Sequence, residues 1–73
     1  MSDTVNRHKL RALREGAQIS VTKLAEKVGA SQPFITQIEQ GYKQPSVPLL
    51  KRIADYFGVT VDDLLRDDTQ ETA

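Results

Sequence analysis

Apolar residues recur every three or four positions along most of the chain, the spacing that places side chains on one face of an α-helix. No segment has the strict alternation of apolar and polar residues that is typical of a β-strand. The pattern divides into five stripes, so we predict an all-α fold, a compact bundle of five helices. The stripes are Leu10, Leu13 and Ala17; Leu24, Ala25 and Val28; Ile35 and Ile38; Val47, Leu50, Ile53, Ala54 and Phe57; and Leu64 and Leu65.

Residues that start and stop helices stand at the ends of these stripes. A serine or threonine can accept a hydrogen bond from a free amide of the first turn, and a glycine can take the positive φ that ends a helix. Pro33 falls in the first turn of the third helix, where its missing amide would have no intrahelical partner. The first helix is predicted from about Asn6 to Gly16. The other predicted caps are Ser20, Ser31, Ser46 and Thr60, and the predicted stops are Gly29, Gly41 and Gly58.

The second and third helices are separated by a turn of only three residues. Helices joined this closely need a small residue where they cross and a glycine at the bend, and Ala25 and Gly29 supply them. Ile35 and Ile38 share one face of the third helix, so we expect them to pack against the second and fourth helices. The opposite face, which should then lie in solvent, carries Gln32, Thr36, Gln37 and Gln40.

Charge is distributed unevenly although the net charge of the 73 residues is zero. Residues 1–54 hold nine cations and four acids, a net of +5, and residues 55–73 hold one cation and six acids, a net of −5. This asymmetry favours a basic surface for a polyanion with an acidic end held away from it. We predict one domain over residues 1–66 and a short polar acidic tail over residues 67–73.

Residue types that build enzymatic, metal or membrane sites are scarce. The chain has no cysteine, one histidine (His8) and no phosphate-binding glycine loop. It also lacks the run of about 20 apolar residues that a membrane span requires. We therefore expect no enzymatic activity, no cofactor, no metal and no small-molecule ligand, and a cytoplasmic location is the default prediction.

The spacing from Ala25 through Gly29 to Ile35 and Ile38 resembles the helix-turn-helix of the phage-repressor family, also called Cro-like or XRE. The resemblance implies a dimeric transcriptional regulator, a repressor, that binds a near-palindromic operator in double-stranded DNA. The helix that begins near Ser31 would enter the major groove. Similar residues stand at positions 13–15, 19–20, 24–29, 31, 35–39, 41, 45–46, 50, 53–54, 58–59 and 64–65.

The resemblance assigns base contacts to the outer face of the third helix. Gln32 and Gln37 are the expected principal contacts, because a glutamine amide can donate to and accept from adenine simultaneously. Pro33 and Thr36 are expected to make apolar or water-mediated contacts, and Gln40 lies at the margin. The alternative is that these glutamines form an ordinary solvated helix face.

Phosphate contacts are expected at the ends of the third helix, at the start of the second, and in the loop after the third. Val21 stands where the family often has a glutamine, so backbone amides would have to suffice there. For Phe34 two alternatives are open, contact with the sugar-phosphate edge or a thymine methyl and partial burial between helices. The predicted set is Arg11, Ser20, Val21, Lys27, Ser31, Phe34, Tyr42, Lys43 and Gln44.

Two further features follow from the resemblance. Arg14 and Glu39 would form an ion pair that ties the first helix to the third, the alternative being two unrelated surface charges. Gln18 stands where the family usually has a glycine, so the turn after the first helix would be made by Gly16 or by a less favourable residue.

Dimerisation is implied because one such domain contacts only about half of a DNA site. The predicted interface consists of Val47, Pro48, Val61, Leu64 and Leu65, and the alternative is that these residues belong to the core. A second functional hypothesis is a protein-interaction module, such as an antitoxin or anti-repressor, with DNA binding secondary.

Overall fold

The computed structural model describes residues 5–65, and within that range all regular structure is α-helical. The five helices are α1 (Arg7–Gly16), α2 (Val21–Val28), α3 (Gln32–Gln40), α4 (Val47–Phe57) and α5 (Val61–Leu65). The all-α, five-helix prediction is therefore confirmed. None of these helices is both long and apolar enough to cross a membrane. The predicted acidic tail, residues 67–73, lies outside the described residues.

The four predicted caps form the hydrogen bonds that begin α2, α3, α4 and α5. The Oγ atoms of Ser20, Ser31 and Ser46 each accept from the backbone amide three residues later, at 3.0, 3.2 and 3.3 Å. Before α5 the exchange is reciprocal. The Asp63 amide donates to Thr60 Oγ1 at 3.0 Å, and the Thr60 amide donates to Asp63 Oδ2 at 3.2 Å. Such a capping box satisfies two amides that have no partner within the helix.

The apolar stripes meet in one core. The largest fully buried side chains are Leu10, Leu24, Ile35, Ile38, Ile53 and Leu64. Two of the predicted core positions are wrong. Ala17 is exposed because it lies beyond the end of α1, and Val47 is 69% exposed because it is the first residue of α4. Conversely, Val5 and Leu49 are buried although neither was included in a stripe.

The two described residues before α1, Val5 and Asn6, close the bundle. Val5 is buried in the core. Its amide donates to Gln44 Oε1 at 3.0 Å, and the Asn6 amide donates to the Leu64 carbonyl at 2.7 Å. The beginning of the described chain is thus joined both to the loop after α3 and to α5.

The turn after α1 contains a left-handed residue that is not glycine. Gln18 has φ 60°, whereas Gly16 is still helical and Ala17 keeps φ −83°. Of the two alternatives from the sequence, Gly16 is wrong and Gln18 itself makes the turn. A residue with a Cβ loses roughly 1–2 kcal/mol in this conformation, because the Cβ crowds the following carbonyl.

Replacing Gln18 by glycine should therefore raise the free energy of unfolding by about 1 kcal/mol, because glycine adopts φ 60° without that crowding. The measurement is urea denaturation of both proteins, and equal m values would show that only stability has changed. Ala17→Gly is the matched control and should lower stability by up to about 1 kcal/mol, since Ala17 needs no positive φ. A Gln18→Gly variant no more stable than the parent would show that the turn stores no strain.

Candidate nucleic-acid interface

The outer face of α3 presents polar side chains from a helix whose inner face is fixed in the core. Ile35 and Ile38 have no solvent exposure. Gln32, Pro33 and Gln40 are exposed, and Thr36 and Gln37 are half-buried. Amide and hydroxyl groups held outward on a helix that cannot rotate are chemically suited to contact base edges in a groove.

Two members of this face contact each other across one helical turn. Gln32 Nε2 donates to Thr36 Oγ1 at 2.7 Å. This bond therefore favours one orientation of the exposed Gln32 amide. The sequence indicated that both residues face outward, but it did not predict this bond.

An ion pair ties α3 to α1, as the resemblance to the phage-repressor family implied. Arg14 donates from Nε to Glu39 Oε2 at 2.7 Å and from Nη2 to Oε1 at 3.1 Å, and its Nη1 donates to the Ile19 carbonyl at 2.9 Å. The side chains of Arg14 and Glu39 are only 12% and 8% exposed, so they are not unrelated surface charges. Donation of hydrogen bonds to the Glu39 carboxylate raises the pKa of Arg14 despite the opposing effect of burial, so the guanidinium stays charged.

A second arginine contacts the C-terminal end of α3, one residue beyond Glu39. Arg7 Nη1 donates to the Gln40 carbonyl at 2.6 Å. Gly41, the next residue, has φ 89°, and a Cβ there would lie 2.8 Å from Arg7 Nη1. This contact was missed from the sequence, because a single arginine at the start of a helix carries no signal for a partner 33 residues away.

The cations expected to contact phosphate, and Tyr42 in the loop after α3, lie on the surface. They differ in whether another side chain already binds them. Lys27 and Lys43 are exposed, and Tyr42 is 77% exposed. Arg11 is exposed but pairs with Glu15 at 3.3 Å. Such an exposed pair is weak and screened by salt, so it leaves Arg11 available to a phosphate.

Other residues of the predicted phosphate set have roles inside the domain. Val21 and Phe34 are half-buried against the core, so partial burial is the alternative observed for Phe34. The Oγ atoms of Ser20 and Ser31 accept from their own helices, and Gln44 Oε1 accepts from Val5. Any contact from Val21 to phosphate would come from its backbone amide.

The residues predicted for a dimer interface separate into three groups. Leu64 is fully buried in the core, so its assignment to an interface is wrong. Val61 and Leu65 are half-buried and pack against that core. Val47 and Pro48 are exposed at the start of α4 and remain the apolar surface of the set.

Comparison with known proteins identifies the arrangement of α2, turn and α3. Residues 10–64, which run from the buried Leu10 to the buried Leu64, match the family described as Helix-turn-helix. The chain belongs to this family. The resemblance to the phage-repressor, XRE-type proteins is thereby confirmed.

Curated relatives of this helix-turn-helix chain are named as transcriptional regulators. An uncharacterised regulator of Mycobacterium tuberculosis is 38% identical over 55 residues, which are 75% of this chain and 39% of that protein. One of Methanocaldococcus jannaschii is 36% identical over 58 residues, 80% of this chain and 88% of that protein. The activator BcrR of Enterococcus faecalis is 39% identical over 57 residues, 78% of this chain and 28% of that protein. The chain thus spans about two fifths or less of the Mycobacterium and Enterococcus relatives.

Solved structures show the same fold. The DNA-binding domain of the P22 c2 repressor superposes with a TM-score of 0.79 at 26% identity, covering 93% of this chain and 90% of that one. The regulator ClgR of Corynebacterium glutamicum superposes with a TM-score of 0.74 at 29% identity, covering 81% of this chain and 63% of that one. The matched family and these relatives are regulators of transcription, not enzymes.

Removal of one partner of the Arg14–Glu39 pair should be more harmful than removal of both. Glu39→Ala leaves a nearly buried guanidinium without its carboxylate, and we expect a loss of about 2–4 kcal/mol in the free energy of unfolding. The double variant Arg14→Met, Glu39→Leu leaves no unpaired charge and should lose less. Urea denaturation distinguishes the two cases. A double variant less stable than Glu39→Ala would show that the loss in stability comes mainly from the missing ion pair and not from an unpaired buried charge.

Gly41→Ala should destabilise the domain more than Gly58→Ala. Both glycines have positive φ, but a Cβ at Gly58 meets nothing within 4 Å, whereas one at Gly41 displaces Arg7 from the Gln40 carbonyl. We expect an extra loss of roughly 1 kcal/mol at Gly41, the usual contribution of one hydrogen bond. Thermal or urea denaturation measures both variants. In an Arg7→Ala background the difference should disappear, and its persistence there would contradict the assigned role of Arg7.

Proposed function

We propose that this helix-turn-helix domain binds double-stranded DNA sequence-specifically, with α3 in the major groove, as a dimeric transcriptional repressor. The observation that supports this most strongly is the outer face of α3, whose amides project from a helix held by two fully buried isoleucines. A helix fits the major groove, where each base pair presents a distinct pattern of donors and acceptors.

Base recognition is assigned to the outer face of α3, with Gln32 and Gln37 as the principal contacts. Thr36 and Pro33 line the same face, and Gln40 lies at its C-terminal margin. A glutamine amide offers one acceptor and two hydrogens, so it matches adenine, which offers N6–H and N7. Each well-formed pair contributes roughly 1–3 kcal/mol of discrimination between bases.

Phosphate contacts are assigned to groups in α2 and in the loop after α3. Lys43 and Tyr42 follow α3 in an exposed loop, and Lys27 is exposed near the end of α2. The backbone amides at the start of α2, after the Ser20 cap, lie at the positive end of the helix dipole and are suited to bind a phosphate. These contacts place the domain on the duplex without distinguishing sequences.

A dimer is proposed because two recognition helices one DNA turn apart, roughly 34 Å, would contact both halves of a near-palindromic operator. Val47 and Pro48 are the predicted interface residues that are exposed and therefore available to a second copy. Repression is the mode of regulation that occupancy of a promoter brings about by itself. It is proposed for this chain although one relative is named as an activator.

Selection of bound duplexes from a random library tests this function directly. We expect enrichment of a sequence with two inverted half-sites whose centres lie about one helical turn apart. Affinity for the selected duplex should fall steeply with salt, as release of counterions from neutralised phosphates requires. Failure to enrich any sequence would contradict the proposal.

Two substitutions distinguish base contacts from phosphate contacts on the selected duplex. Gln37→Ala should weaken discrimination at one base pair of each half-site, whereas Lys43→Ala should weaken all duplexes alike. The latter should also lower the slope of log K against log salt by about 0.9 per lost contact. Lys51→Ala, an exposed lysine on α4, is the matched control and should change neither quantity. If Gln37→Ala and Lys43→Ala both bind like the parent, the surface has been assigned wrongly.

A further inference from the structure

Gln32 is held by a hydrogen bond within the outer face of α3, and this bond has a consequence for the base that Gln32 can accept. Nε2 carries two hydrogens, and one of them is donated to Thr36 Oγ1 at 2.7 Å. What remains on the Gln32 amide is one N–H donor and the acceptor Oε1.

This remaining donor and acceptor are complementary to the major-groove edge of adenine. Adenine offers a donor at N6 and an acceptor at N7, so it needs one acceptor and one donor from the protein. Guanine offers two acceptors, N7 and O6, and needs two donors. With one hydrogen already given to Thr36, Gln32 cannot supply both, so the bond favours adenine and disfavours guanine.

The position of Thr36 supports this division of roles. The two residues lie four apart on the helix, where side chains of successive turns meet, and Thr36 is half-buried while Gln32 is exposed. Its hydroxyl is therefore the more firmly placed of the two groups. The bond also restricts the Gln32 side chain before DNA arrives, which lowers the ordering cost at the moment of binding.

We propose that Thr36 is a positioning residue that determines specificity: its hydroxyl orients the Gln32 amide so that Gln32 selects adenine over guanine. This inference rests on the proposed DNA binding, in which Gln32 matches adenine, and adds to it the residue that imposes the discrimination against guanine. It also changes the role of Thr36 from an apolar or water-mediated contact with a base to a residue that acts through Gln32.

The experiment compares Thr36→Val with Thr36→Ser on duplexes that differ at one base pair. Valine keeps the branched shape and removes the hydroxyl, whereas serine keeps the hydroxyl. The base pair that Gln32 contacts must first be located. The parent and Gln32→Ala are compared on a panel of duplexes that contains every single-base-pair substitution of the selected operator. The base pair sought is the one at which only the parent discriminates between bases. Fluorescence anisotropy then measures the affinity for the adenine and guanine duplexes at that position.

The parent should prefer the adenine duplex by roughly 5- to 150-fold, the range expected for one well-formed pair. Thr36→Val should lower that ratio several-fold, Thr36→Ser should retain it, and Thr36→Val should add no further loss in a Gln32→Ala background. The preference at the base pair contacted by Gln37 should stay unchanged. Circular dichroism and urea midpoints for Thr36→Val and Thr36→Ser should match the parent, which separates loss of specificity from loss of folding.

Four results would overturn the proposal. Thr36→Val that retains the full adenine preference would show that the bond does not orient Gln32, while leaving the proposed DNA binding intact. Equal loss of preference at the Gln32 and Gln37 base pairs would show a general effect on α3. A Gln32→Ala variant with every preference intact would show that Gln32 contacts no base. A parent chain that prefers no sequence would overturn the proposed function as well.

Discussion

Ile35 and Ile38 lie three residues apart on α3, and neither side chain has any solvent exposure. Burial of two branched apolar side chains on one face leaves α3 a single rotational setting, because turning the helix about its axis would expose them to water at a cost of roughly 1.5–3 kcal/mol each. The direction of every other side chain on α3 follows from that setting. Gln32 and Gln40 become exposed, and Glu39 is turned toward Arg14.

Burial fixes the rotation of α3, and two arginines from the N-terminal part of the chain fix its end. Arg14 holds the Glu39 carboxylate through two hydrogen bonds and also reaches the Ile19 carbonyl in the turn before α2. Arg7 holds the Gln40 carbonyl where the helix stops. A cation at the carbonyl end of a helix is favoured by the helix dipole. The same two contacts therefore stabilise a small domain and hold its proposed DNA-binding face in place.

The same packing explains which residues of the predicted subunit interface are exposed and which are buried. Leu64 was a candidate for a subunit interface on its apolar character, but the short α5 packs it fully into the core, and the Asn6 amide binds its carbonyl. Val47 was counted in an apolar stripe but stands at the first position of α4, one turn too early to reach the core. Apolar character alone could not separate these two positions, because it does not record where a helix starts relative to its neighbours.

Signals carried by residues close in sequence determined the helices, their caps and the exposed glutamine face. Periodicity extends over a few turns, a serine cap binds an amide three residues on, and a glycine stop acts at its own position. Tertiary structure alone decided the burial of Val5, the contact from Arg7 to Gln40 and the positive φ of Gln18. Each of these depends on the path of the backbone or on a partner far away in the sequence. Such a partner produces no pattern among neighbouring residues that sequence analysis could detect. The resemblance to a known family supplied one long-range contact, Arg14 with Glu39, that periodicity and capping would have missed.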